Sequence, residues 1–227
     1  MTIALGIDTG GTYTDAALVD QETGQVLASS KSLTTHDDLS RGIVGAVSAV
    51  LEVLAKAKSG NASPGPGPAD VGLVGLSTTL ATNAIVEGQG CPICLLLIGY
   101  DPALMHEFGF ERDLATQDVV YIRGGHDTEG NEVAPLDLEA ARAAILERRD
   151  RVDAFAVSGY FSVRNPEHEL RVRALIEELS ANQPDGRPAL PVTCGHELTS
   201  RLDAVRRATT VSLNARLIPL LRDLIAT

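Results

Sequence analysis

The chain has 227 residues, 44% apolar and 22% charged, which excludes global disorder and allows one large domain or two small ones. Lys and Arg number 19 against 30 Asp and Glu, a formal charge of −11, with four Phe, four Tyr and no Trp. So acidic and aromatic-poor a surface repels phosphate backbones and anionic lipid, so neither nucleic acid nor membrane is expected as a partner. No apolar run approaches the roughly 20 residues of a membrane span. The start lacks the basic region and cleavage site of a signal peptide, and three cysteines without framework spacing suit a reducing compartment. The expectation is a cytoplasmic protein.

Ile3 to Asp8 is apolar and stops at a glycine-rich turn, Thr14 to Asp20 follows, and Gln25 to Ser32 comes after the turn cluster Gln21-Glu22-Thr23-Gly24. Three strands joined by tight turns predict an antiparallel meander. Ile43, Val44, Val47, Val50, Leu51 and Leu54 then recur at helical spacing behind a cap at Asp37 or Asp38. The run Asn61 to Pro68 reads as a surface loop. Val71 to Leu76 is a predicted strand, Thr79 to Glu87 a helix, and Pro92 to Ile98 a continuous apolar run of the kind buried on both faces of a sheet. Helices over Leu138–Arg149, Pro166–Leu179 and Asp203–Ile225 alternate with strands Ala154–Val157 and Leu190–Thr193, which says α/β. The composition shift at Tyr100-Asp101-Pro102 predicts a boundary between two lobes.

The strongest chemical signal is Gly6-Ile7-Asp8-Thr9-Gly10-Gly11-Thr12-Tyr13-Thr14-Asp15. An aspartate closes a strand, Gly10 and Gly11 turn the chain, and free backbone N–H groups there converge on an oxyanion. Thr12 and Thr14 alternate onto one face of the second strand, so both hydroxyls are expected to face the same anion. Asp8 is placed to hold Mg²⁺ through water. The turn leads into a strand, so it is neither a Walker loop nor a dinucleotide fingerprint. Ser77, Thr78 and Thr79 open a predicted helix, where they either cap it or offer hydroxyls to an anionic or carbonyl group. Asn83, an amide in a short apolar helix, needs partners.

These residues carry a resemblance. The first loop is similar to the phosphate loop of the actin, hexokinase and Hsp70 superfamily. DTGGTYTD at Asp8–Asp15, with Thr78-Thr79-Leu80-Ala81-Thr82-Asn83-Ala84 further on, resembles the N-terminal region of the hydantoinase A and 5-oxoprolinase family. The likeness extends through Val86–Gly90 and Leu97–Asp101 and, more weakly, Ser162–Glu169. It implies a ribonuclease-H-like lobe over 1–99 (the meander plus parallel strands and helices). A smaller α/β subdomain over 100–200 and a C-terminal helix over 201–227, leading into a second lobe, would follow. It implies ATP and Mg²⁺ as cofactors, with catalytic roles for Asp8, Asp15 and Asn83. Gly10, Gly11, Thr12, Thr14, Thr78 and Thr79 would hold cofactor, with Asp8 the metal ligand. Asp15 stands either as a second carboxylate in the site or as a fold-stabilising hydrogen-bond partner. The implied reaction is ATP-dependent opening of a lactam or cyclic imide, or a related carboxylation of a ketone, with a partner subunit of hydantoinase B type. The alternatives are a small-molecule kinase or dehydratase-reactivating ATPase, and a non-catalytic assembly module; the oligomeric state is left open. Many members carry His-Gly where this chain has Leu76-Ser77, so the substrate is not carried over. No second phosphate loop follows Tyr100, and the chain by itself is expected to bind ATP weakly and turn over negligibly.

Of the remaining motifs, Cys91-Pro92-Ile93-Cys94 opens an apolar strand and reads as core, and Arg123-Gly124-Gly125-His126-Asp127 reads as a polar loop. Cys194-Gly195-His196-Glu197 ends a strand and only superficially suggests a metal site. Arg201, Arg206 and Arg207 are expected on the solvent side of the last helix.

Overall fold

The computed structural model describes residues 2–35, 38–57, 68–78, 85, 88, 90–181 and 188–226. The chain divides into two units, Met1–Gln89 with Ala226–Thr227, and Gly90–Ile225. The division lies at Gln89–Gly90 and not near Tyr100, and the second unit is the longer one.

In the first unit, strands β1 (Ile3–Thr9), β2 (Tyr13–Asp20), β3 (Val26–Leu33) and β4 (Val71–Thr78) form one sheet in the order β3-β2-β1-β4. The expected meander is present, and β4 adds to β1 in parallel. Burial alternates: Ile3, Leu5 and Ile7 of β1, with Ala16 and Leu18 of β2, face helix α1 (Leu39–Ala57), which presents Ala46, Val50 and Leu54. Asp38 caps α1, its Oδ1 accepting from Ser40 N at 3.0 Å. Asp37, the loop over 61–67 and the helix expected over Thr79–Glu87 lie outside the described residues, apart from Ile85.

The second unit holds an all-parallel sheet of β5 (Ile93–Ile98), β6 (Val119–Ile122), β7 (Ala154–Gly159) and β8 (Val192–Cys194), in the order β6-β5-β7-β8. The apolar run expected to complete the first lobe is therefore β5 of this sheet. A run buried on both faces records that it is central, not which sheet it joins. Helices α3 (Leu138–Arg148) and α4 (Glu167–Ala181) cover one face, with Leu96, Phe155, Ile145 and Ile176 in that layer. Helices α2 (Pro102–Glu107) and α6 (Ala204–Ala226) supply Met105, Ala208, Val211 and Ala215 to the other. A single turn, α5 (Gly195–Leu198), follows β8.

Asp101-Pro102, where composition predicts a boundary, is the start of α2. Asp101 is its N-cap and accepts from Ala103 N at 2.8 Å, with Pro102 in the first turn. Arg207 is not on the solvent side of α6. It is 1% exposed and donates from Nη2 to Gly159 O and from Nη1 to Arg201 O. At positions 204, 207, 208, 211 and 215 it shares the helix stripe that the sheet buries, and two carbonyls take its Nη1 and Nη2 donors while Nε is buried without a hydrogen bond among the described residues.

Candidate functional site

The glycine loop lies between β1 and β2 as expected. Gly10 N donates to Tyr13 O at 2.9 Å, and a Cβ on Gly10 would stand 3.2 Å from that oxygen, so a side chain would push the turn open. The two threonines do not share a face. Thr12 lies in the turn and is exposed, whereas Thr14 is the first inward residue of β2 and fully buried. Alternation starts only where the strand starts, at Tyr13. The Thr14 hydroxyl is 3.1 Å from that of Thr34, which donates to Gly10 O at 2.9 Å. Thr34 N also donates to Thr12 O at 3.0 Å. Thr14 thus braces the loop from beneath through Thr34, a residue that sequence reasoning missed; its signal was the Thr34-Thr35 pair directly after β3.

Asp8 and Asp15 are register partners on neighbouring strands, so both point to the face away from α1. Asp8 is exposed; Asp15 is half-buried and pairs with Lys31 Nζ at 3.2 Å, Lys31 being its own register partner on β3. The ammonium also lies 4.9 Å from the Tyr13 ring centroid. Lys31 was likewise missed: its place opposite Asp15 depends on the hairpin register. Asp15 therefore has a structural partner, and Asp8 is the carboxylate left open at the strand end among the described residues.

Beside them, the parallel register sets Asp8 against Ser77 and Thr9 against Thr78. The glycine loop and the chain leaving β4 start from adjacent strand ends. Asp8, Asp15, Lys31 and Ser77 rim a cavity of about 800 Å³, whose floor includes Gly6 and Gly75. Only the backbone of Thr78 is described; Thr79 and Asn83 lie outside the described residues.

In the second unit, Glu169, Cys194 and His196 bring metal-ligating atoms within 4.8 Å of one another. The chemistry is not that of a cation site. The Glu169 carboxylate already accepts from Gly159 N at 2.7 Å, from His196 N at 3.0 Å and from His196 Nδ1. Burial pushes the Cys194 thiol up to about 12, and the Arg173 and Arg207 side chains approach the same cluster. Cys94 is fully buried and its thiol is likewise pushed up to about 12, as befits a core residue. Asp127 closes its own turn, accepting from Glu129 N and Asn131 N at 2.9 Å. His126 is 3% exposed and packs against His168, ring centroids 4.3 Å apart and planes tilted by 43°. Among the described residues, no helix is long and apolar enough to cross a membrane.

Comparison with known proteins extends this picture. Residues 4–180 match the family model described as hydantoinase/oxoprolinase N-terminal region. The chain is 32% identical over 236 residues to caprolactamase subunit alpha of Pseudomonas jessenii, covering 96% of this chain and 31% of that protein. It is 30% identical to the acetophenone carboxylase gamma subunit of Aromatoleum aromaticum, covering 94% of this chain and 31% of that one. Among solved structures, the ATP-dependent caprolactamase of Pseudomonas jessenii superposes with a TM-score of 0.72 at 31% identity, over 98% of this chain and 32% of that one. A nucleotide-free acetone carboxylase superposes with a TM-score of 0.73 at 22% identity, over 98% of this chain and 33% of that one, and shows the fold alone. The chain thus spans about a third of the length of these relatives, and it belongs to the hydantoinase/oxoprolinase N-terminal-region family.

Proposed function

We propose that this chain is the loop-bearing part of an ATP-dependent enzyme that phosphorylates a carbonyl oxygen, of a lactam or cyclic imide for ring-opening hydrolysis or of a ketone for carboxylation. The observation that carries this reading is the parallel register of β1 and β4, by which the glycine loop and the Ser77-Thr78 segment start side by side. The caprolactamase relative, ATP-dependent by its description and lactam-directed by its name, favours the hydrolytic branch.

Phosphorylating the oxygen turns a poor electrophile into one with a good leaving group, and the protein's share is positioning and charge neutralisation. The backbone N–H groups of Gly11 and Thr12 take the phosphate oxygens, Gly10 closes the turn on Tyr13 O so that they face outward, and Thr14 holds that turn in shape through Thr34. The exposed Asp8 carboxylate is a hard oxygen donor of the kind Mg²⁺ takes, directly or through water, and fits as its ligand. Mg²⁺ held there would neutralise charge on the phosphates. Asp15, steadied by Lys31, adds a second negative group that tunes the Asp8 site. The Thr78 and Thr79 hydroxyls complete the phosphate cradle, and the Asn83 amide orients the carbonyl substrate. The relatives are named as subunits, which supports an assembly with a hydantoinase-B-type partner; the three free cysteines support a cytoplasmic setting.

Asp8→Asn in the full-length protein with its partner subunit tests the reading. Phosphate release from ATP in the presence of lactams and hydantoins is expected to fall about 100-fold or more in kcat, the scale of losing one electrostatic anchor of the reaction. Circular dichroism is expected to be unchanged because the side chain is exposed. Undiminished turnover would overturn the assignment.

A further inference from the structure

The order β6-β5-β7-β8, with all strands parallel, contains one reversal of direction. From β5 the chain moves outward to β6 through α2 on one face. It then returns past β5 to β7 and on to β8 through α3 and α4 on the other. Connections that leave neighbouring strands on opposite faces part at their carboxyl ends, and a crevice opens there. In this unit the crevice lies beyond Ile98 of β5 and Gly159 of β7.

The crevice is a formed cavity. About 370 Å³ opens at this place, within the range of small-molecule sites, lined by the chain that leaves β5 and β7 and by the start of α6. Its frame is held from several sides. The Tyr100 hydroxyl lies 2.9 Å from Ser158 Oγ and donates to Ala204 O at 2.8 Å, which ties the mouth of β5 to β7 and to α6. Gly159 is clamped at both backbone groups, its N–H by Glu169 and its oxygen by Arg207. Phe161, at φ 53°, is the one non-glycine residue with positive φ among those described, and its ring packs edge-on against Tyr160. Gly99 at φ 75° lets the β5 exit approach the loop after β6, where a Cβ would stand 2.7 Å from Gly124 O.

The lining selects a ligand by sign. Leu104, Met105, Phe110 and Leu202 make apolar walls, the Tyr100 and Tyr160 rings lie edge to face at 5.5 Å, and among the described residues no Lys or Arg lines the cavity. Two carboxylates do. Asp203 is already matched, its Oδ1 accepting from Arg206 N and its Oδ2 3.9 Å from Arg206 Nε. Asp101 uses Oδ1 to cap α2 and has no ion-pair partner among the described residues. An apolar chamber with aromatic walls and, at its exposed rim, a carboxylate that lacks a counter-ion among the described residues favours an organic cation and disfavours an anion.

We propose that this crevice is a second small-molecule site, distinct in its residues from the Asp8 cavity, that takes a compact organic ammonium on a ring or short chain, with Asp101 as its charge partner. The inference does not depend on the ATP reading, because it uses only residues of the second unit and needs no turnover.

Ligand-observed NMR titration of the full chain with benzylammonium, benzyl alcohol and benzoate tests it. Benzylammonium is expected to bind with a Kd of about a millimolar or tighter, and about tenfold or more tighter than either of the others. Asp101→Asn keeps a good helix cap while removing the charge, and should bring benzylammonium within about threefold of benzyl alcohol. Leu202→Trp, at a half-exposed position, should fill the cavity and abolish binding of all three. Benzoate or benzyl alcohol binding as tightly as benzylammonium would overturn the proposal, as would no saturable binding at all. Benzylammonium affinity that survives Leu202→Trp would show diffuse attraction to the acidic surface and would also overturn it.

Discussion

Along β1 and β2 buried residues alternate with less buried or exposed ones, whereas β5 and β7 are buried at every position. The first sheet packs α1 against one face and sends Asp8, Asp15 and Lys31 to the other, beside a floor of small residues. The second sheet is covered on both faces and has no free face for chemistry, so its polar groups gather at the carboxyl ends of its strands. The contrast teaches where each unit tolerates change. In the first, charged groups meet solvent and ion pairs are weak; in the second, Glu169 and Arg207 are buried, so removing a hydrogen-bond partner leaves a buried polar group exposed to no water.

The sharpest break of that comparison is Glu169→Ala against Lys31→Met. Removing the fully buried Glu169 strands two backbone N–H groups and its ion-pair partner His196, an expected loss of about 3–5 kcal/mol in urea unfolding. Lys31→Met removes an exposed pair and should cost no more than about 1 kcal/mol. Equal losses would mean that the two networks are not different in kind.

Apolar truncations should repeat the pattern on a slightly smaller scale. Leu96→Ala, at a fully buried site, is expected to cost about 2–5 kcal/mol, and Leu73→Ala, 58% exposed on β4, within about 0.5 kcal/mol. Calorimetric melts of both variants would decide; a large cost at Leu73 would show that something packs on that strand.

The smallest expected effect is a pH dependence confined to the second unit. Burial, then the neighbouring His168, hold the His126 imidazole below its ordinary value, while Glu132, Glu167 and Asp127 pull the other way. Folding lowers this pKa, so the stability tied to the neutral ring is complete above about pH 6.5 and is lost as the pH falls below that value. One such group contributes at most about 1.4 kcal/mol per pH unit. Urea midpoints between pH 7.5 and 5 should therefore fall less steeply in His126→Gln; identical slopes in variant and parent would remove His126 from the account.

The meander and its loop were legible because turn chemistry is local: a glycine pair after Asp8 and the cluster at Gln21–Gly24 leave the chain few choices. The side of Thr14 was not, because alternation is counted from the first strand residue, and Thr12 falls in the turn before it. Asp101-Pro102 carried a readable helix start that composition alone turned into a boundary. Edge strand β6, four residues long and mostly half-buried, has too little pattern to be seen.

By itself the sequence determined the α/β class, the position of the phosphate-type loop, the alternating face of the first sheet and the motifs that mark the family. These depend on steric preference and period, which act within a few residues. Only the tertiary structure decided which sheet β5 joins, that Thr14 braces the loop through Thr34, that Lys31 meets Asp15, and that Arg207 and Glu169 are buried clamps on β7. Each of those is a pairing between distant residues, chosen by what else the core must satisfy, and no local preference records it.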